Sequence, residues 1–120
     1  CAAIAGLSAS GLPTDAFVFL GFLPTKKGER DTLLAPFTHL PATLVFYESA
    51  NRIADALAYL EAKLGSREAV VAREITKLHE TIYRGTLPEL AAWFGENDVK
   101  GEIVLMIGAP LTQAVEEIPL

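Results

Sequence analysis

The chain is poor in the residues that build disulfides and metal sites. It contains one cysteine, Cys1, and two histidines, His39 and His79. A single cysteine cannot form a disulfide framework, and the two histidines do not stand at a metal-ligand spacing. We therefore expect no metal site and a reducing compartment, which we take to be the cytoplasm.

Long apolar runs and positive charge are also scarce. The longest apolar runs, 16–23 and 103–109, fall far short of the roughly 20 residues that a membrane-spanning helix needs. Ten basic residues against fifteen acidic ones give a net charge of −5, which argues against a free-standing nucleic-acid-binding module. A local basic patch remains compatible with this balance. The hydrophobic fraction of 51% excludes an intrinsically disordered chain.

Common nucleotide-binding and hydrolase motifs are missing as well. There is no GxGxxG fingerprint and no GxxxxGK[ST] loop, so neither a dinucleotide site nor a P-loop is predicted. The segment 6–11 has a serine between glycines but lacks the GxSxG spacing of a nucleophile elbow. Local motifs alone therefore indicate only a cytosolic α/β domain.

Hydrophobic periodicity predicts strands that alternate with helices. Apolar residues at 53, 56, 57, 60 and 64 follow the helical repeat and predict the longest helix, 53–64. Thr86 and Glu89 form a capping box that starts another helix, and the short connection 77–80 predicts an antiparallel hairpin. The predicted strands are 16–22, 43–47, 69–76, 81–85 and 101–107, and a further short helix is predicted at 29–37. This order predicts a mixed five-stranded sheet flanked by helices.

A polar cluster follows the second predicted strand. Tyr47, Glu48 and Ser49 stand where the strand gives way to a helix. In open α/β sheets ligands bind at the carboxyl ends of strands, which favours a binding role. The alternative is helix capping, because serine is a good N-cap and a carboxylate is favourable at a helix N-terminus.

A second polar cluster interrupts the third predicted strand. Arg73, Glu74 and Lys77 are charged residues in a segment that begins as a core strand. Buried charges are costly unless they are paired, so one interpretation is a salt bridge, either Arg73–Glu48 or Lys77–Glu80. The other interpretation is a polar rim on a ligand cleft.

Several segments, taken together and in this order, resemble the ribosomal RNA small-subunit methyltransferase I family of the tetrapyrrole methylase superfamily. They cover about residues 1–110, and their combination is more specific than any one of them. The segments are SASGLPTD at 8–15, GFLP at 21–24, GER at 28–30, LVFYES at 44–49, Arg52, AREITK at 72–77, HE at 79–80 and RGT at 84–86.

This resemblance implies the C-terminal domain of a class III methyltransferase. It implies that 1–14 is the last helix of an N-terminal domain plus a linker, that 15–110 is the C-terminal domain, and that 111–120 is a tail. The absent initiator Met at Cys1 and the Ala-rich apolar start agree with part of a longer protein. The implied activity is S-adenosylmethionine-dependent methylation of a cytidine ribose 2′-hydroxyl in 16S ribosomal RNA. We expect this chain to be inactive alone and to form a homodimer.

The resemblance also implies site residues. The cofactor-binding positions carried over from the family are Tyr47, Glu48, Ser49, Arg73, Glu74 and, more weakly, Ala109. The residues expected to contact 16S ribosomal RNA phosphates are Lys26, Lys27, Arg30, Arg52 and Lys77. Glu48, Glu74 and Lys77 have suitable chemistry for a general base, and none of them is assigned that role.

Two alternatives remain open at this point. One is a tetrapyrrole or diphthine-type methyltransferase of the same superfamily. The other is a non-catalytic dimerisation module, which the high apolar fraction and the exposed edges of a mixed sheet would favour.

Overall fold

The computed structural model describes residues 11–12, 16–76 and 79–110, and for residues 75, 76 and 79 it describes the backbone only. The predicted helix within 1–10, the predicted tail at 111–120 and Lys77 lie outside these residues. The strands are β1 (Phe17–Phe22), β2 (Thr43–Ser49), β3 (Glu68–Thr76), β4 (His79–Thr86) and β5 (Glu102–Ile107). The α-helices are α1 (Lys27–Leu34), α2 (Ile53–Leu64) and α3 (Leu87–Glu96), with 3-10 turns at Ala35–Phe37 and Ala50–Arg52.

The helix predictions are largely confirmed. The bounds of α2 are those predicted from its apolar repeat, and its residues Ile53, Leu57 and Leu60 are buried. The helix predicted at 29–37 instead spans α1 and a 3-10 turn, because Pro36 has no N–H to donate within a longer α-helix. The start of α3 has the predicted capping box, in which Thr86 Oγ1 accepts from Glu89 N at 3.3 Å and Glu89 Oε1 accepts from Thr86 N at 2.9 Å.

The predicted mixed five-stranded sheet is also confirmed. Its strand order is β1-β2-β5-β3-β4, in which β1 and β2 are parallel and every other neighbouring pair is antiparallel. The hairpin pair β3 and β4 is longer than predicted, since pairing extends to Thr76 and His79. The last strand in sequence, β5, therefore lies at the centre of the sheet, between β2 and β3.

The described helices all pack on one side of the sheet, which we call the helix face. There the helix residues Leu57, Leu60 and Phe94 form one buried cluster with Phe46 and Leu105 of the strands. The other side, which we call the opposite face, has a smaller cluster. Its members are Leu12, Val45, Val70, Ala72, Val104 and Met106, with Tyr47 and Ile82 partly buried beside them.

A polar network joins α1 to α2. The hydroxyl of Tyr59 donates to Asp31, and Asp31 also contacts Lys27 and Lys63, each at 3.3 Å. The Tyr59 hydrogen bond, aided by both lysines, lowers the pKa of Asp31 to about 2. Burial and the same hydrogen bond raise the pKa of Tyr59 to about 12. The short helix α1 is thus fixed to the longest helix by charge as well as by apolar packing.

No helix within the described ranges is long and apolar enough to cross a membrane.

Candidate functional site

Strand direction brings the predicted polar clusters to one edge of the sheet. β1, β2 and β3 run in the same direction, whereas β4 and β5 run against them. The carboxyl ends of β1, β2 and β3 therefore meet the amino ends of β5 and β4. We call this the carboxyl edge, and we call the other end of the strands the amino edge.

A row of four polar residues crosses the opposite face at the carboxyl edge. Ser49 pairs with Glu102, Glu102 with Glu74, and Glu74 with Glu80. Directly opposed residues have Cβ atoms about 4.5–5.5 Å apart, and like charges so placed repel. Among the described residues none of the three carboxylates forms an ion pair. A cationic ligand group would offset that repulsion.

Aromatic rings stand beside this row. The ring centroid of Tyr47 lies 5.0 Å from that of Phe19 and 5.6 Å from that of Phe22. Phe22 is 62% exposed, which is unusual for a large apolar side chain in a strand. The carboxyl edge thus offers an accessible aromatic surface next to hydroxyl and carboxylate groups.

Glu48 points away from that surface. Strand alternation turns it to the helix face, where it is 4% exposed. Its Oε2 accepts from Ser49 N at 3.0 Å and lies 3.7 Å from Arg52 Nε. Burial raises the pKa of the Glu48 carboxyl, against the lowering effects of the Ser49 hydrogen bond and Arg52. The predicted cluster 47–49 is therefore divided, with Tyr47 and Ser49 on one face and Glu48 on the other.

The capping interpretation of this cluster is not what the structure shows. Ser49 is the N-cap of the 3-10 turn that precedes α2, but its side chain makes no capping hydrogen bond. The backbone N–H of Ser49 donates a hydrogen bond to the Glu48 carboxylate instead. The hydroxyl of Ser49 is therefore not committed to capping.

Arg73 also lies on the helix face, apart from its sequence neighbour Glu74. Its guanidinium donates to the Lys100 carbonyl at 3.2 Å and to Thr81 Oγ1 at 3.4 Å. Ile103 of β5 separates it from Glu48 in the sheet register. The hypothesis of an Arg73–Glu48 salt bridge is therefore wrong, since Glu48 pairs with Arg52 and Arg73 donates to Lys100 and Thr81 instead. The alternative Lys77–Glu80 pair lies outside the described residues.

Ala109 lies at the amino edge, at the far end of the strands from Tyr47, Ser49 and Glu74. β5 is antiparallel to β2, so its end at Ile107 pairs with Leu44 at the amino edge. Gly108 N then donates to Glu68 O at that same edge. The six residues from Glu102 to Ile107 span about 17 Å. Ala109 therefore lies at the opposite end of the strands from the other predicted cofactor contacts, and its own contact with the cofactor stays a prediction.

Arg30 is buried and makes its hydrogen bonds inside the fold, not at the surface. It is 6% exposed, and its Nη2 donates to Asp55 Oδ2 at 2.6 Å. Its Nε donates to the Pro24 carbonyl, also at 2.6 Å. We therefore remove Arg30 from the residues predicted to contact RNA, because its donors hold the β1–α1 connection against α2.

The other described basic candidates remain accessible at the carboxyl edge. Lys26 and Lys27 follow the end of β1 and are exposed, and Arg52 follows the end of β2 with its side chain 42% exposed. Lys27 is engaged by Asp31, whereas Lys26 has no ion pair with a described residue. Lys77 cannot be placed with them, since it lies outside the described residues.

Sequence reasoning missed three members of this surface. Glu102, Glu80 and Phe22 join it through strand pairing and through the bulge between Phe19 and Gly21. A central position for β5 would have predicted Glu102, but the order of strands in a sheet does not follow from local periodicity. In the part of the chain that is described, no group of three or more His, Cys, Asp or Glu residues is arranged to hold a metal ion.

Comparisons with known proteins agree with this architecture. A family model described as Tetrapyrrole (Corrin/Porphyrin) Methylases matches residues 1–91. Among curated proteins, ribosomal RNA small subunit methyltransferase I of Erythrobacter litoralis is 48% identical over 117 residues, covering 98% of this chain and 42% of that protein. The protein of the same name from Escherichia coli O157:H7 is 50% identical over 123 residues, covering 99% and 42%. The chain thus spans about two fifths of these relatives' length.

Solved structures share the fold at low sequence identity. The methyltransferase CobJ superposes with a TM-score of 0.66 at 20% identity, covering 93% of this chain and 49% of that one. Uroporphyrin-III C-methyl transferase from Thermus thermophilus, complexed with S-adenyl homocysteine, gives a TM-score of 0.58 at 24% identity, with coverages of 86% and 48%. At such identities the likeness concerns the fold alone.

The buried carboxyl of Glu48 predicts a pH-dependent stability. Its raised pKa means that the folded state binds the proton more tightly than the unfolded state does. Its contribution to stability is therefore present below the unfolded pKa of about 4.5 and is lost as the pH rises. Glu48→Gln keeps an oxygen that can accept from Ser49 N and removes the titration. We expect the variant to gain stability relative to wild type between pH 4.5 and pH 7, measured by urea unfolding.

Glu68→Gln is the matched control, because Glu68 is an exposed glutamate of β3. Its stability relative to wild type gives the background change for losing one surface charge. A stability difference between Glu48→Gln and wild type that is the same at both pH values, or that shrinks towards pH 7, would contradict the assignment.

Proposed function

The chain belongs to the tetrapyrrole (corrin/porphyrin) methylase family, and from this premise we propose a function for the natural protein that contains it. The protein transfers a methyl group from S-adenosylmethionine to RNA of the small ribosomal subunit. The observation that carries this proposal is the identity of 48–50% with proteins named ribosomal RNA small subunit methyltransferase I, over 98–99% of the chain.

The finer target in this proposal is the ribose 2′-hydroxyl of a cytidine in 16S ribosomal RNA. Its support is the set of segments by which the sequence resembles that branch, above all FYES at 46–49 and AREITK at 72–77. Fold likeness does not separate this target from a tetrapyrrole, because members of the superfamily share the sheet. The sequence segments favour RNA over the tetrapyrrole and diphthine-type alternatives.

The carboxyl edge has the chemistry that S-adenosylmethionine requires. An adenine ring stacks favourably on exposed aromatic rings, and Phe22 and Tyr47 offer such a surface. The Ser49 hydroxyl is free of a capping bond and can serve a ribose or carboxylate group. Glu74, between the carboxylates of Glu80 and Glu102, complements a cation. Two independent features, the rings and the acidic row, therefore fit the same ligand.

When bound, S-adenosylmethionine supplies a methyl group activated by its positively charged sulfonium. The residues of this chain bind and orient it, which lowers the entropic part of the barrier. Tyr47 and Phe22 would hold the planar end, and Glu74 would hold the cationic end. On the helix face, the Glu48 carboxylate accepts from Ser49 N and so fixes the backbone of Ser49.

The basic residues at the same edge support an RNA substrate. Lys26, Lys27 and Arg52 follow the carboxyl ends of β1 and β2. Lysine and arginine contacts to phosphate supply most of the sequence-independent affinity for RNA. A chain of net charge −5 thus presents local positive charge beside the proposed cofactor surface.

Two further parts of the proposal concern assembly. The chain supplies one wall of the cofactor site and is inactive alone, because a small-ligand site needs contact on more than one side. The natural protein is a homodimer. The support for a dimer is the exposed aromatic side chains of the edge strand β1, in which Phe17 is 43% and Phe19 is 48% exposed.

Replacing Glu74 tests the cofactor surface. In the natural protein, Glu74→Gln removes a charge while keeping the shape of the side chain. A hydrogen bond to a charged group contributes about 1.5–3 kcal/mol, so we expect the affinity for S-adenosylmethionine to fall at least tenfold. Calorimetry measures the affinity, and transfer of labelled methyl to small ribosomal subunits measures the activity.

Glu68→Gln is again the matched control, because Glu68 lies on the same strand and face at the amino edge. It should leave affinity and methyl transfer unchanged. Equal losses in the two variants would show that charge in general, rather than the acidic row, governs binding. Absence of labelled methyl on small-subunit RNA in the wild-type reaction would refute the proposed function itself.

Replacing Lys26 tests the RNA surface. Lys26→Ala should weaken RNA binding and reduce the slope of log affinity against log salt by about 0.7–0.9, the value for one lost phosphate contact. S-adenosylmethionine affinity should not change. The control is Lys26→Arg, which keeps the positive charge and should leave the slope unchanged. If both variants lower the slope equally, the charge of Lys26 is not what contacts phosphate.

A further inference from the structure

Arg67 is a buried arginine without a counter-charge among the described residues. It lies between α2 and β3 and is 5% exposed. Its Nη2 donates to the Thr38 carbonyl, but its Nη1 is buried with no hydrogen-bond partner. No described carboxylate forms an ion pair with it. Burial lowers the pKa of its guanidinium, as expected for a cation removed from water without compensation.

Buried cations are retained when something pairs with them. The Thr38 carbonyl accepts a hydrogen bond from one nitrogen of the Arg67 guanidinium, but it does not neutralise the positive charge of that group. An unpaired donor of this kind points to an occupant that the described residues do not supply. The surroundings of Arg67 therefore indicate what that occupant is.

A cavity of about 270 Å³ lies against Arg67 at the amino edge. Its polar lining comes from Thr38, His39, Lys63 and Ser66, in addition to Arg67. Two of these five side chains carry a permanent positive charge, and hydroxyl and imidazole groups make up the rest. The other described lining residues are Leu64 and Pro110, so no carboxylate is among the described residues that line the cavity. In a chain of net charge −5, a cavity whose described polar lining consists of hydrogen-bond donors is suited to an anion.

Two features oppose an anion here, and neither outweighs the cations. Lys63 shares its charge with Asp31 at 3.3 Å. The C-terminus of α2 faces the cavity, and its helix dipole is equivalent to roughly half a negative charge. One of its carbonyl groups, that of Glu61, already accepts a hydrogen bond from Gly65 N at 2.9 Å. Arg67 retains a whole charge in a buried setting, where screening by solvent is weak.

We propose that this cavity, which we call the Arg67 cavity, binds a phosphate group. Phosphate supplies the missing counter-charge, and its several oxygens can accept from donors that approach from the Thr38 loop, from α2 and from the start of β3. The site lies at the amino edge, at the far end of the strands from Ser49, Glu74 and Glu102. It is therefore separate from the proposed cofactor surface, and it does not depend on methyl transfer.

The phosphate group bound in the cavity is either a free phosphate anion or part of the RNA backbone. The rival occupant is internal, since the sequence beyond Pro110 contains Glu116 and Glu117, which lie outside the described residues. A tail carboxylate that paired with Arg67 would occupy the same cavity. The experiment therefore includes variants of the cavity residues and variants of the tail glutamates.

The test is a titration of the natural protein with inorganic phosphate, at an ionic strength held constant with chloride and followed by calorimetry. We expect wild type to bind phosphate and Lys63→Met to bind it about tenfold more weakly, as for one lost charged hydrogen bond. Ser66→Ala should weaken binding by less. These two variants avoid Arg67 itself, whose hydrogen bond to Thr38 also supports the fold. Lys100→Met is the control for the same change of charge outside the cavity.

Wild type that gives no heat with phosphate beyond that with chloride would overturn the proposal. An equal loss in Lys63→Met and Lys100→Met would do the same, because it would show a general charge effect. Phosphate binding that is absent in wild type and appears only in a Glu116→Gln, Glu117→Gln double variant would assign the counter-charge to the tail and also overturn it. A short RNA oligonucleotide that competes with phosphate supports the site with an RNA source, and one that does not compete supports it with a free anion.

Discussion

The two-residue repeat of the β-strand governs how this sequence becomes a site. In β2 it sends Phe46 and Glu48 to the helices, and it sends Val45, Tyr47 and Ser49 to the opposite face. The same alternation in β3 separates Arg73 from Glu74. Residues that are adjacent in the sequence therefore have different roles. Phe46 and Glu48 are buried beneath the helices, whereas Tyr47 and Ser49 on the opposite face are only partly buried.

The position of β5 completes the arrangement. Because it enters the sheet between β2 and β3, it brings Glu102 between Ser49 and Glu74. It also carries the chain to the amino edge, where Gly108 and Ala109 lie beside the start of β3. The two ends of the sheet consequently differ in charge. The carboxyl edge has an acidic row flanked by lysines and arginine, and the amino edge has the donor-lined Arg67 cavity.

Much of the fold could be predicted from sequence because its signals are local. The apolar repeat of α2, the capping box at Thr86 and the hairpin of β3 and β4 each depend on residues close together in the chain. Strand order and the direction of β5 depend on long-range pairing, and for that reason local sequence could not show that Ala109 lies at the amino edge. Arg30 was misassigned for a similar reason, because its partner Asp55 is 25 residues away and its sequence context is that of an exposed basic loop.

The site was predicted in part, and the limits have a physical cause. The cluster 47–49 was recognised by its position after a strand, and Tyr47 and Ser49 do lie at the carboxyl edge. Local sequence could not reveal that Glu48 is buried against Arg52, since burial is decided by how α2 packs. It also could not reveal Arg67 as an unpaired cation, because an isolated arginine before a strand is usually exposed.

We place the cofactor on the opposite face at the carboxyl edge. A crystal structure of the natural protein with S-adenosylmethionine would locate the ligand. We expect ligand density against Tyr47, Ser49 and Glu74, with Glu48 and Arg73 remaining beneath the helices. Density on the helix face, or at the amino edge beside Ala109, would contradict it.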